Sequence, residues 1–261
     1  MYSRTCGQNL DVKSLAMGLF RKLFSGDEGP SESQIKRALK QVTQIHGDAA
    51  TRVAAMERLA DWKTAGAAAA LLRRFTVQVP QASMDHEEKQ YTVRLLVQTG
   101  RVAVEPILNY LETEGEVTWA VRALREILPH DEYVAAVRKV LEKLSSGYTR
   151  WPEAKAVMIA HFPDSAYPEI AGEMLRMLED DDDDVCIAAV DYLVRSGDEA
   201  VRERLIATLL EADARPRVRG RILDQLCERE WPVKGYRKRV EEIIQEPYYL
   251  TAKGTVKRRS V

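Results

Sequence analysis

Four histidines, three cysteines and a run of six carboxylates are the residues of this chain with the widest chemical reach. His46, His86, His130 and His161 lie far apart at uneven intervals. A metal centre needs several imidazole, thiolate or carboxylate ligands converging on one ion. Here a histidine is followed by a glutamate once, at His86-Glu87, and no HExxH, CxxC or glycine-rich phosphate loop occurs. Cys6, Cys186 and Cys227 are odd in number and widely spaced. They form neither a disulfide framework nor a metal cluster, and fit a reducing compartment. The run Glu179 to Asp184 has two readings. Carboxylates at a helix start satisfy free N–H groups and oppose the helix dipole. The surplus beyond one cap could instead receive a basic partner or a divalent cation. An EF-hand is excluded, because its glycine and terminal glutamate are not at their spacings. No carboxylate can be named as a catalytic base. We assign no catalytic, cofactor or metal residue, and a non-enzymatic role is the preferred expectation.

Charge is more informative in its distribution than in its sum. The net charge is −1, so no global field points to nucleic acid or membrane. Residues 179–213 carry twelve acids and three bases, a balance of −9, while residues 214–261 carry thirteen bases and six acids, a balance of +7. Two readings stay open: mutual neutralisation, or a charged docking end for an acidic protein, nucleic acid or anionic lipid. Arg217 and Arg221 share a helix face at i, i+4, as do Lys234 and Lys238 beside Arg237. These five are candidate partner contacts. If they meet phosphates, affinity must fall steeply with salt.

A second candidate surface lies near the start. Leu15, Leu19, Phe20, Leu23 and Phe24 form one helical face, followed by a Ser25–Ser31 linker. About ten residues are too few for a stable free helix. The stripe, with Phe20 and Phe24 foremost, is expected to dock on the repeats, on a partner groove or peripherally on a membrane.

Stepping from residues to elements, Ala, Leu, Glu and Arg dominate the composition, which favours helix. Apolar residues recur with a helical period from Ser31 onward, as in Val185, Ala188, Ala189, Tyr192 and Leu193, then Val201, Leu205, Ile206 and Leu209. Breaks at Gly66, Gly100, Pro163, Gly197 and Trp231 fall 34, 63, 34 and 34 residues apart. Pro129 divides the long interval into 29 and 34. A fixed period near 34 means stacked repeats, because no single helix pair can bury its apolar face alone. The tail, with Tyr248-Tyr249-Leu250 and Thr255-Val256-Lys257, could form a hairpin lying on the helices.

The segment Leu178 to Val185, Ala188-Ala189, Leu193, Gly197-Asp198, Leu205 and Leu209-Leu210 resembles the HEAT-like repeats shared with phycobilisome-lyase relatives. The likeness is good over 182–212, weaker over 84–145, and covers about residues 48–245. It implies a curved surface for protein–protein contact. A minority of such proteins bind nucleic acid or perform chemistry. Iron hydroxylases of this type carry several His-Glu doublets, which this chain lacks. Glycosylases of this type use a carboxylate and aromatics in a basic groove. Trp119, Trp151 and Trp231 are present, but Trp151-Pro152 and Trp231-Pro232 read as helix starts.

The expected architecture is all-α, a right-handed α-solenoid of about six antiparallel helix pairs. It comprises an N-terminal amphipathic segment and linker at 1–30, a repeat domain at 31–245 and a basic tail at 246–261. The expected function is a cytoplasmic, cofactor-free scaffold for a protein partner. The alternative is nucleic-acid binding of the DNA-repair glycosylase type through the basic C-terminal repeats.

Overall fold

A computed structural model describes residues 29–147, 149–211 and 215–259. The stripe with Phe20 and Phe24 lies outside the described residues, and with it the docking expected of that stripe. The described chain is all-α apart from one terminal hairpin. The first half contains α1 (Glu32–Val42), α2 (Ala49–Asp61), α3 (Ala65–Leu72), α4 (Ala82–Thr99), α5 (Val104–Thr113) and α6 (Thr118–Ile127). The second half contains α7 (His130–Ser145), α8 (Pro152–His161), α9 (Tyr167–Met177), α10 (Asp183–Leu193), α11 (Glu199–Glu211), α12 (Pro216–Glu228) and α13 (Arg237–Ile243). Strands β1 (Tyr248–Leu250) and β2 (Val256–Arg258) close the chain as an antiparallel pair. No described helix is long and apolar enough to cross a membrane.

Local sequence sets the helix ends. Ser31 and Gln34 make a reciprocal capping box on α1, and Asp48, Thr64 and Asp182 each accept a backbone N–H at the start of α2, α3 and α10. Pro152 and Pro216 occupy the first turns of α8 and α12, where a missing N–H costs nothing. Gly197 stops the chain after α10 in the left-handed region, at φ 70°, which favours a residue without a Cβ.

Packing proceeds in two rows. The even-numbered helices α2, α4, α6, α8, α10 and α12 form an unbroken series of neighbours. In the other row α1, α3, α5 and α7 pack in succession, whereas α9 lacks comparable contact with α7 and α11. Along the chain, the close approaches α5–α6, α9–α10 and α11–α12 fall across junctions between the sequence-defined pairs, not across the turns at Gly100, Pro163 and Gly197. The reason is apolar placement. Ala120, Val121, Val185, Ala189, Ile222 and Leu226 are fully buried on the first-row helices and belong to one continuous apolar core. Buried tyrosines tie successive elements: Tyr133 and Tyr192 donate to the carbonyls of His161 and Pro163 at 3.3 and 3.0 Å. Burial pushes both phenols up to about 12.

The hairpin lies on α12. Val256 is fully buried, Tyr248 donates its hydroxyl to Asp224 at 2.7 Å, and Arg258 pairs with the same carboxylate at 3.2 Å. A two-stranded hairpin is marginal alone in water. These contacts supply the support it needs.

Near the other end a charged group is enclosed. Arg74 is completely buried, and Arg52, Glu88 and Asp85 are nearly so. Glu88 accepts from Arg52 Nε and Nη2 at 3.0 and 2.7 Å and from Arg74 Nε at 2.9 Å. Arg74 Nη2 donates to Asp85 at 2.8 Å, and Asp85 also accepts from the Val79 N–H and pairs with Lys89. Arg52 Nη1 reaches the carbonyls of Gln44 and Gly47. The network clasps the α1–α2 turn, the segment after α3 and the first turns of α4. Burial alone would raise the Asp85 carboxyl, but the hydrogen bonds from Lys89, Arg74 and Val79 outweigh it and hold it below its ordinary value.

Candidate functional site

The C-terminal candidates divide into two groups. Arg217 pairs with Asp184, and Arg221 donates to Asp191 at 2.5 Å, both across α10 and α12. The i, i+4 relation on α12 is therefore matched by carboxylates on α10. The hydrogen bond to Asp191 holds the Arg221 guanidinium above its ordinary range. Arg237 pairs with Glu241 at 2.8 Å on its own helix and donates to the Ala252 carbonyl in the hairpin turn at 2.9 Å. Lys234 and Lys238 are exposed and make no ion pair among the described residues. They do not share a helix: Lys234 precedes α13 and Lys238 lies in its first turn.

The acidic run is consumed by the fold almost residue by residue. Glu179 pairs with Arg204, Asp180 with Lys155, Asp183 with Arg215 and Asp184 with Arg217. Asp182 caps α10 through the N–H groups of Asp184 and Val185 at 2.9 and 3.2 Å. The run is a junction that ties α8, α11 and α12 to the start of α10. Neither a lone cap nor a free acidic surface describes it.

The residues with potential chemistry do not converge. No group of three or more histidines, cysteines or acids among the described residues could hold a metal ion. Cys186 is buried, and burial pushes its thiol up, away from the reactive thiolate. His161 contacts the Val157 carbonyl at 2.8 Å within its own helix.

An open cavity of about 180 Å³ lies between α4 and α6. Gln90, Val93 and Arg94 line it from α4, and Trp119, Arg122 and Glu126 from α6. Helix geometry builds the site twice. Tyr91 and Arg94 stand at i, i+3, with the guanidinium 5.2 Å from the ring centre; Trp119 and Arg122 repeat the pair at 5.1 Å. The two pairs are 28 positions apart in the sequence (91 to 119 and 94 to 122). His86 meets the indole edge-on at 5.2 Å and contacts Gln90 at 2.9 Å. Tyr91 donates to Glu57 at 2.6 Å, which raises its phenol. Arg94 and Arg122 make no ion pair or hydrogen bond among the described residues, whereas Arg52, Arg74, Arg101, Arg215, Arg217 and Arg221 all hold carboxylates. Two oriented, uncommitted guanidinium groups beside an indole can bind carboxylates and a flat or apolar group together. Sequence reading passed over Arg94 and Arg122. The available signal was the repeated aromatic-x-x-Arg spacing on two successive first-row helices.

A second cavity of about 190 Å³ opens between α7 and α9, where the second row is loose. Leu141, Phe162, Ile170, Met174 and Met177 form its apolar floor. Its rim is already knitted by Arg138, which pairs with Glu173.

Comparison with protein-family models, with curated proteins and with solved structures found no match for this chain. The all-α fold and the site geometry therefore carry the functional argument.

Proposed function

We propose that this chain is a non-enzymatic scaffold, built as a right-handed α-solenoid of antiparallel HEAT-like helix pairs, which binds a protein partner over α4 and α6. The continuous first row and the loosened second row support a curved stack, because one row must spread when the other stays closed. One observation carries the binding reading. Arg94 and Arg122 line a common cavity beside Trp119 and make no ion pair among the described residues, with Glu126 the one acid in the lining. Arginine and tryptophan are the residue types that anchor protein interfaces. The competing nucleic-acid reading rested on the basic C-terminal repeats, where Arg217 and Arg221 are matched by Asp184 and Asp191.

The test is site-specific crosslinking in the native cell, with Gln90, an exposed residue of the same cavity lining, replaced by the photoreactive p-benzoylphenylalanine. A control carries the same group at Lys139, an exposed position in the other row. A discrete protein adduct at 90 that is missing at 139 is expected. Adducts with nucleic acid alone at 90 would overturn the scaffold reading in favour of its competitor.

A further inference from the structure

We propose that the α7–α9 cavity is a binding site for a small neutral molecule built on one aromatic ring. The site is separate from the partner surface over α4 and α6 and does not depend on it.

The cavity is a fault in the stack with a readable cause. In the second row α5 packs against α7, but α9 has no comparable contact with α7. On α9, Ile170, Met174 and Met177 stand at i, i+4 and i+7 and form one buried apolar stripe. On α7 a matching stripe runs through Val137, Leu141 and Ser145 in steps of four. Its last member is a serine, where a large apolar side chain would close the seam. The Ser145 hydroxyl lies 3.9 Å from Met177 Sδ, so this small side chain does face the opposite wall. The space left is about 190 Å³, floored by Leu141, Phe162, Ile170, Met174 and Met177. Glu142, Ser145, Ser146 and Arg176 at its edge are exposed, so a molecule can enter from solvent without unfolding a helix.

Size, charge and wall chemistry name the ligand. An apolar cavity of roughly 150 Å³ lined by Leu, Ile and Phe takes up one benzene ring. The α7–α9 cavity has the same wall types and slightly more room. Its charged lining is self-paired: Arg138 pairs with Glu173 and Glu142, and Arg176 lies 3.8 Å from Glu173. A charged ligand would exchange water for an apolar floor with no free counter-charge, which is costly. A neutral one meets no such penalty. The walls also favour a ring over an alkyl chain. Met174 and Met177 offer polarisable sulfur, which contacts ring edges favourably. Phe162 already packs edge-on against Tyr192 at 6.2 Å, and a bound ring would extend that series. A rigid ring loses no internal rotation on binding, unlike a chain of equal volume.

NMR of the full chain, labelled at its methionine methyl groups, tests this with toluene as the probe. Millimolar toluene should shift the Met174 and Met177 signals to saturation and leave that of Met84 on α4 in place. Benzoate and benzylammonium should each bind at least about tenfold more weakly than toluene. S145F supplies a ring from the protein itself. It should weaken toluene by about tenfold or more and raise the melting temperature, whereas S145A should bind toluene as the parent does. Three results would overturn the inference: no saturable shift at Met174 and Met177, S145F binding toluene as tightly as the parent, or either charged analogue binding better than toluene. The rival occupant is a side chain of a protein partner. With p-benzoylphenylalanine in place of Glu142, that rival would give a protein adduct in the native cell that S145F removes, and such an adduct would overturn the small-molecule assignment. Its absence, with toluene bound, supports the assignment. Neither outcome depends on the crosslinks at position 90, so the scaffold reading stands or falls separately.

Discussion

Replacing Glu88 with leucine should destabilise the protein by about 3–5 kcal/mol, the usual cost of removing one partner from a buried charge pair. The geometry supports the full range. Glu88 is the carboxylate shared by Arg52 and Arg74, with separations of 2.7 to 3.0 Å to their closest nitrogens. Both guanidinium groups are buried, so water cannot replace the lost acceptor. The loss is capped because Arg52 keeps the Gln44 and Gly47 carbonyls and Arg74 keeps Asp85. At roughly 2–4 °C per kcal/mol for a chain of this size, the melting temperature should fall by about 10 °C. Urea titration followed by circular dichroism is the assay. The midpoint should drop with the slope unchanged, since the same surface is exposed on unfolding. A quadruple variant, R52M with R74M, D85N and E88L, should recover part of the loss, because exchanging a whole buried charged network for uncharged groups is close to neutral. If Glu88→Leu stays within about 1 kcal/mol of the parent, the network is not sealed from solvent as the structure places it.

Two further outcomes can be checked on the same instruments. Leu205→Asp puts an unpaired carboxylate at a fully buried position on α11, which costs several kcal/mol. Circular dichroism melts should show cooperative loss of the C-terminal helices, and unchanged melts would remove Leu205 from the core. The second outcome concerns acid. The folded Asp85 carboxyl lies below its unfolded value of 3.8, so its contribution is fully present above that pH. It is lost as pH falls through the lower folded value. Asp85→Asn should therefore flatten the decline in stability below about pH 4, and an equally steep decline would place the carboxylate outside the network.

The helical stripes were legible because burial follows the period of the helix. Val185, Ala189 and Leu193, or Leu205, Ile206 and Leu209, are read as core from spacing alone and are buried in the fold. Gly197 was equally legible, since a left-handed stop after a helix selects glycine. What spacing cannot supply is the neighbour. The acidic and basic zones near the C-terminus are separate blocks in sequence, and only the approach of α10 to α12 brings Asp184 to Arg217 and Asp191 to Arg221. Arg52 left a fainter trace. It stands in register with Ala55, Met56 and Leu59, a core position where a guanidinium demands a buried acid, but nothing local identifies Glu88 as that acid. Arg94 and Arg122 were hidden because arginines on helices are common, and only a shared cavity separates these two from the rest.

The ion pairs that link different helices carry a kinetic consequence. The widest, Arg73 to Glu114, spans 41 residues, and Arg217 to Asp184 spans 33. Helices that pack together are next or next-but-one along the chain. Folding this molecule therefore never requires distant ends to search for each other, so loop closure is inexpensive throughout and low contact order should make refolding fast. Order gained at any one turn can spread outward in both directions.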